Sequence, residues 1–280
     1  MESVIAALGK QITTRWFTLL ALPGVAYVAV CILAWKIGPK GAGHALDVNL
    51  IVQLLGEAGH WSSGNLARRT LIVIAALLVA LVVSISINKA SRLMERLWLG
   101  RGHWSRVFTR RLTERRKRRQ EAGAPPGSTV PATYLASRAT WIGDRFQLVD
   151  RRIQAQYGLP LVRLWPPLWQ LCSHDDQRIT QTAWHSYAAS VVWATWALAY
   201  MIVGLYWWPA AIAGVAILLF AWDQGRRSAE EFCTAVEALV DVKIVSVATA
   251  LGIFLPTGRV TQVEGYAIDN ILAKGNYIST

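Results

Sequence analysis

The residue types best suited to chemistry gather in one short stretch, Cys172, His174, Asp175 and Asp176. A thiol, an imidazole and two carboxylates can hold a metal ion or pair a nucleophile with a base. The stretch also stands directly before an apolar run, where an aspartate oxygen accepts from the unpaired amides of a helix's first turn. Capping by Asp175 or Asp176 is the plainer explanation and the expectation, with no metal site. A second group, His185, Ser186, Ser190 and Thr195, recurs at helical spacing inside that apolar run. It could line a polar path, although hydrogen bonding from helix to helix is the commoner use of such residues. His185 is the one His, Asp, Glu, Lys or Arg within the apolar runs, which leaves a transporter-type proton relay little to work with.

The third chemical resource is positive charge. The formal net charge is +12. Between Lys89 and Arg119 stand Arg92, Arg96, Arg101, Arg106, Arg110, Arg111, Arg115, Arg116, Lys117, Arg118 and Arg119 against only Glu95 and Glu114. Arg110, Arg111, Arg115, Arg116, Arg118 and Arg119 are candidates for lipid or phosphate binding, each worth about 1 kcal/mol against an anionic membrane surface. Nucleic acid ranks well below, because no aromatic stacking platform is interleaved with the arginines. Setting the membrane topology is by itself a sufficient reason for the block.

These residues must be positioned by a chain of which 54% is hydrophobic and 16% charged, with a mean hydropathy of +0.32, which argues against a soluble protein. The apolar residues cluster in Trp16–Trp35, Leu71–Ile87, Trp184–Leu205 and Pro209–Trp222, none of which contains Asp, Glu, Lys or Arg. About 20 residues of helix cross a hydrocarbon core of about 30 Å. The first three runs suffice or nearly so; the fourth is short and must run on through Asp223 and Gln224. The predicted fold is therefore all-α, a polytopic integral membrane protein with four transmembrane helices. The Arg block follows the second run directly, which places it in the cytoplasm and both termini with it, in a bacterial plasma membrane. Lys36, Lys40, Arg68 and Arg69 fall on the opposite side, so the rule is met by the size of the bias.

The organisation that follows is an amphipathic segment over 1–15 and a first membrane hairpin over 16–88, with spans near 16–36 and 71–88. A basic cytoplasmic loop over 89–183 contains a linker at 122–133 rich in Ala, Pro, Gly, Ser and Thr. A second hairpin covers 184–223 and a cytoplasmic helical segment 224–280. In the loop, Ile142, Phe146, Val149, Ile153 and Tyr157 predict an amphipathic helix that Gly158 ends. Pro166 and Pro167 predict a break in regular helix, with Trp165 and Trp169 at the inner membrane surface. Beyond the fourth run, Phe232, Val236, Leu239, Val240, Val247 and Leu251 form one helix face, and Glu230, Glu237 and Asp241 another. The expected complement of those acids is the Arg block, giving one small helical cytoplasmic subdomain. Val48, Leu50, Ile51, Leu54 and Leu55 suggest a short interfacial helix on the outer side. Pro23 and Gly24 fit a kink in the first span.

The order Ile142-Gly143-Asp144, Tyr157-Gly158-Leu159, Leu164-Trp165-Pro166 and Leu168-Trp169 resembles a group of uncharacterised actinobacterial four-helix membrane proteins. In that group a G-N or G-D pair precedes R-Y-G-L and W-P-x-L-W, ahead of a closing hairpin of two membrane helices. Arg15-Trp16, Leu22-Pro23-Gly24 and Leu255-Pro256-Thr257 are similar to it as well. Gly143, Asp144, Tyr157, Gly158, Trp165, Pro166 and Trp169 are the motif residues that the resemblance singles out. It implies the architecture and no activity. Asp241-Val242-Lys243-Ile244 stands where the group tends to have D-L-H-R.

No GxGxxG, Walker A, HExxH, GxSxG or zinc-type Cys/His spacing occurs. Cys31, Cys172 and Cys233 suggest no disulfide framework. No cofactor is expected. The expectation is a non-enzymatic membrane component that docks a soluble cytoplasmic partner through its helices and contacts anionic lipids. One alternative is a homo-oligomeric pore or membrane-disrupting effector, with Ala210, Ala213 and Gly214, and also Ala75, Ala76 and Ala80, allowing close helix contacts. Another is a membrane enzyme using His174 or Asp144 at the inner interface.

Overall fold

Long runs of apolar residues without a charge satisfy their backbone polar groups most completely as helix, and the chain follows that rule. The computed structural model describes residues 22–37, 66–100, 106–123 and 135–273. Among them there are eight helices and no strand. They are α1 (Leu22–Ile37), α2 (Leu66–Trp98), α3 (Arg106–Ala122), α4 (Trp141–Tyr157), α5 (Leu161–Leu171), α6 (His174–Val203), α7 (Trp208–Ala250) and α8 (Gln262–Leu272). The expected amphipathic start over 1–15, the outer interfacial helix and nearly all of the linker over 122–133 lie outside the described residues. So do residues 16–21 of the first span, so the kink expected at Pro23 and Gly24 borders undescribed chain.

Two helices are long and apolar enough to cross a membrane, Val73–Trp98 within α2 and His174–Val203. Only 11% of the most apolar stretch of α2 is buried, whereas a core helix of a soluble protein would hide most of it. Leu71, Leu77, Leu78, Val82 and Ile85 are all exposed. The apolar helix Pro23–Ile37 is shorter.

Two compact units divide the chain: Met1–Met94 with Val191–Trp222, and Glu95–Ser190 with Asp223–Thr280. In the first unit, α6 and the start of α7 form an antiparallel hairpin through a turn over 204–207. There Tyr206 and Trp207 both donate their amides to the Val203 carbonyl, at 3.0 and 3.1 Å. Ala34, Val203 and Ala210 are buried together, with Tyr27, Val30 and Trp207 packed around them. The ring of Tyr27 lies 5.6 Å from Trp196 and 5.4 Å from Tyr200. Gly24 sits so close to α2 that a side chain there would reach the Ala80 carbonyl at 2.7 Å.

In the second unit, α4 and α7 lie side by side with α5 and α8 over a core of Val149, Ile153, Leu159, Leu164, Leu168, Val236, Val240, Val247 and Ile268. Burying each large aliphatic side chain contributes about 1.5 to 3 kcal/mol. Phe146 of α4, Trp184 and Tyr187 of α6 and Phe232 of α7 form an aromatic cluster with ring centroids 5.3 to 6.5 Å apart. The spacing that predicts α4 is the face it buries, with Ile142, Val149, Ile153 and Tyr157 inside. Gly158 closes the helix at φ 68°, a left-handed conformation that costs other residues about 1 kcal/mol.

One expectation is corrected. The stretch with Pro166 and Pro167 is a regular helix, α5. Each proline removes a backbone bond at a cost of about 3 kcal/mol, but Leu164 and Leu168 become fully buried on the facing side, and that packing holds the helix. The last apolar run and the acidic amphipathic segment follow one another along a single helix of 43 residues, α7, whose two parts fall in different compact units.

Candidate functional site

The second unit holds the candidate groups, and the first of them is centred on Asp144. Thr140 caps α4, its hydroxyl accepting from the Gly143 amide at 3.2 Å and donating to the Trp98 carbonyl. Gly143 in turn lies against the Leu99 carbonyl, where a β-carbon would collide. Asp144 therefore stands in the first turn of α4, a favourable place for a carboxylate. Its Oδ1 accepts from the Ser137 amide at 2.7 Å, the Ser137 hydroxyl at 3.2 Å and the Arg138 amide at 3.4 Å. Its Oδ2 meets Nη2 of Arg116 at 3.3 Å. The Nη1 of Arg116 donates to the carbonyls of Arg138 and Thr140 at 2.8 and 2.7 Å. Arg116 and Asp144 together lock residues 137–140 between α3 and α4.

The second group is a ladder between α4 and α7. Nε of Arg145 meets Glu230 at 2.9 Å and its Nη1 meets Glu237 at 2.7 Å, while Arg152 meets Glu237 at 3.1 Å. One turn further on, the Tyr157 hydroxyl donates to Asp241 at 2.8 Å. Residue numbers rise together on the two helices, so they run parallel. Burial alone would ease proton loss from Arg145, but hydrogen bonds to Glu237 and then Glu230 outweigh it and hold the guanidinium above its ordinary value. Burial pushes the neighbouring Cys233 thiol up to about 12, against the pull of Arg145, which leaves it un-ionised and a poor nucleophile. The acids on α7 thus find their complement in α4 and not in the Arg block, a correction to the expected pairing. Arg145 stands on the apolar face of α4 between Ile142 and Val149, the one signal in the sequence that marked it. Arg163 pairs with Asp269 of α8, and Lys243 approaches Asp176 at 3.5 Å.

The described residues of this unit form two open clefts. An apolar one of about 340 Å³ is lined by Phe146, Val149, Leu161, Val162, Trp165, Phe232, Cys233 and Val236, and Val162 is 81% exposed at its lip. A polar one of about 630 Å³ lies among α3, the 137–139 segment and α4.

The candidate stretch Cys172–Asp176 forms the entry to α6. The Asp176 amide donates to the Ser173 hydroxyl and Asp176 Oδ2 accepts from the Ser173 amide, each at 3.2 Å. Ser173 is the cap and Asp176 its reciprocal partner, in place of the expected cap by Asp175 or Asp176. Cys172 donates its thiol to the Leu168 carbonyl at 3.1 Å, and burial raises its pKa. His174 is exposed. Among the described residues no three His, Cys, Asp or Glu side chains gather to hold a metal ion. The hydroxyls of Ser190 and Thr195 bond carbonyls of their own helix, at Tyr187 and Val191, and not another helix.

Of the arginine candidates, Arg111, Arg115, Arg118 and Arg119 are exposed, Arg110 pairs with Glu114 at 3.2 Å, and Arg116 is the half-buried partner of Asp144. Ala210 and Gly214 are buried within the first unit, Gly214 facing the Ala197 carbonyl, while Ala213 is exposed. Among the motif residues, Trp165 and Trp169 stack at 5.3 Å and Pro166 is exposed. Gly265 of α8 packs on the carbonyl of Tyr157. Comparison with protein-family models, with curated proteins and with solved structures finds no match to this chain.

Proposed function

We propose that this chain is a four-span bacterial plasma-membrane protein with both termini in the cytoplasm, whose second unit is a non-enzymatic docking body for a soluble protein. The observation that carries the reading is the apolar cleft between α4, α5 and α7. Of the side chains equipped for chemistry, Asp144 is engaged by four donors, Cys172 by a carbonyl and Asp176 by Ser173, while His174 is exposed. The aromatic and aliphatic walls of the cleft stay open. A groove of that character suits the apolar face of an amphipathic helix, with Trp165 and Phe146 as anchors. Four spans are supported by the uncharged start of α7, where Ile212, Leu219 and Phe220 are exposed, and by the exposed Val25, Ile32 and Trp35 of α1. The positive bias after α2 supports the orientation. Ala210 and Gly214, two of the small residues behind the pore alternative, are already packed against neighbouring helices within the chain.

The test is photocrosslinking in living cells from a photoreactive residue at position 162, with a reporter fused to the C-terminus. One discrete adduct to a soluble protein, lost in Trp165→Ala at equal membrane level, is the expected result. A reporter on the outer face, or no adduct at full expression, would overturn the reading.

A further inference from the structure

We propose that the polar cleft is a binding site for a phosphate group, presented by an anionic lipid headgroup or by a small soluble phosphate compound; this goes beyond the docking reading and uses a different surface. Four cations line the cleft, Arg110, Lys117, Arg138 and Arg151, against the single carboxylate of Glu114. They come from three separate segments, α3, the 137–139 segment and α4, so the concentration of charge is a property of the fold and not of a sequence run. Concave walls focus the field of such a cluster and raise the local concentration of an anion.

The lining is also preorganised. The Arg116–Asp144 lock fixes the backbone that carries Ser137 and Arg138. Gln147 then accepts from the Ser137 hydroxyl at 2.7 Å and from Nε of Arg138 at 3.0 Å, which sets the Arg138 guanidinium plane and leaves its terminal nitrogens to donate. A fixed guanidinium fork matches two phosphate oxygens, and an ammonium supplies a further point charge. Among the described residues Lys117 and Arg151 meet no carboxylate, and both are half-buried. Glu114 is engaged by Arg110 on an exposed part of α3. The exposed Arg111, Arg115, Arg118 and Arg119 do not line the cleft, so the ligand is held by a subset of the basic residues that includes two, Arg138 and Arg151, outside the Arg block.

The experiment is titration of the full chain, purified in a nonionic detergent, with inorganic pyrophosphate and separately with short-chain phosphatidylglycerol, the zwitterionic short-chain phosphatidylcholine serving as the net-neutral control. Saturable binding of at least one anionic probe is expected, tighter than that of the net-neutral choline lipid, whose phosphodiester is offset by its own ammonium. The pair Lys117→Gln and Arg151→Gln should weaken it about 30-fold, taking each basic residue near an anionic headgroup as a factor of about five. The pair Arg111→Gln and Arg118→Gln removes the same charge from α3 outside the cleft and should change binding less than about threefold. Equal binding of both probes makes the phosphate group itself the ligand, phosphatidylglycerol alone makes it a headgroup, and pyrophosphate alone makes it a soluble compound. Equal weakening by the two pairs of substitutions, unsaturable binding, or no binding of either probe by a chain with unchanged thermal unfolding overturns the site.

Discussion

Arg145, 9% exposed, places its Nη1 2.7 Å from Oε1 of Glu237, joining two helices through residues 92 apart in sequence. The pair is not an ornament on a finished interface, because its charge occupies a position on α4 flanked by core residues. Removing one member leaves the other in a partly desolvated place, and that asymmetry shapes the first expectation.

Arg145→Leu should lower stability by about 2 to 4 kcal/mol, since Glu230 and Glu237 both lose their main partner. Arg145→Lys should recover only part of that, because one ammonium cannot reproduce the fork that meets two carboxylates. Thermal unfolding in detergent, followed by the exposure of Cys233 to a thiol reagent, would read the effect. Cys233 reacting at the wild-type temperature in Arg145→Leu would contradict it.

Asp144→Asn and Arg116→Gln should each free the 137–140 segment, and the two together should cost little more than either alone, because both act on one lock. Limited trypsin cleavage at Arg138 is the measurement. Strictly additive rates would show that the two residues hold the segment independently.

Alkaline stability should carry a signature of Tyr157. Burial, followed by the hydrogen bond to Asp241, raises its pKa from the ordinary value near 10 to about 12. The folded chain then resists ionisation that the unfolded chain undergoes, so this contribution is complete below pH 10 and is lost as pH rises to 12. Lysines titrate in the same range, and the comparison with Tyr157→Phe removes them. The unfolding temperature of the wild type should fall more steeply than that of the variant across this window; parallel curves would refute the coupling.

Pro166→Ala should stabilise α5 by about 1 to 2 kcal/mol, through a restored backbone bond offset by the greater freedom of the unfolded chain. Differential scanning fluorimetry in detergent would show a higher midpoint. A lower midpoint would mean that the Pro166 ring, though exposed, contributes packing of its own.

Much of the architecture could be read from local pattern. Uncharged apolar runs demand helices whose backbone bonds are satisfied internally, and the 3.6-residue repeat from Ile142 to Tyr157, closed by Gly158, marks α4 almost to the residue. Local rules failed where packing between distant segments outweighed them. Pro166 and Pro167 sit in a helix because Leu164 and Leu168 are buried beneath it.

The polar groups divide in the same way. Sequence by itself determined that Asp176 belongs to a helix entry and that Glu230 and Glu237 share a face. Only the tertiary structure decided that the acids meet Arg145 and Arg152, that Asp144 and Arg116 form a lock, and that Arg138 and Arg151 join α3 residues around one cleft. Periodicity reports which side of a helix a residue occupies, and that follows from backbone geometry alone. Which opposite charge it meets depends on the free energy of packing whole helices together, in which a long arginine side chain takes the partner that burial leaves within reach.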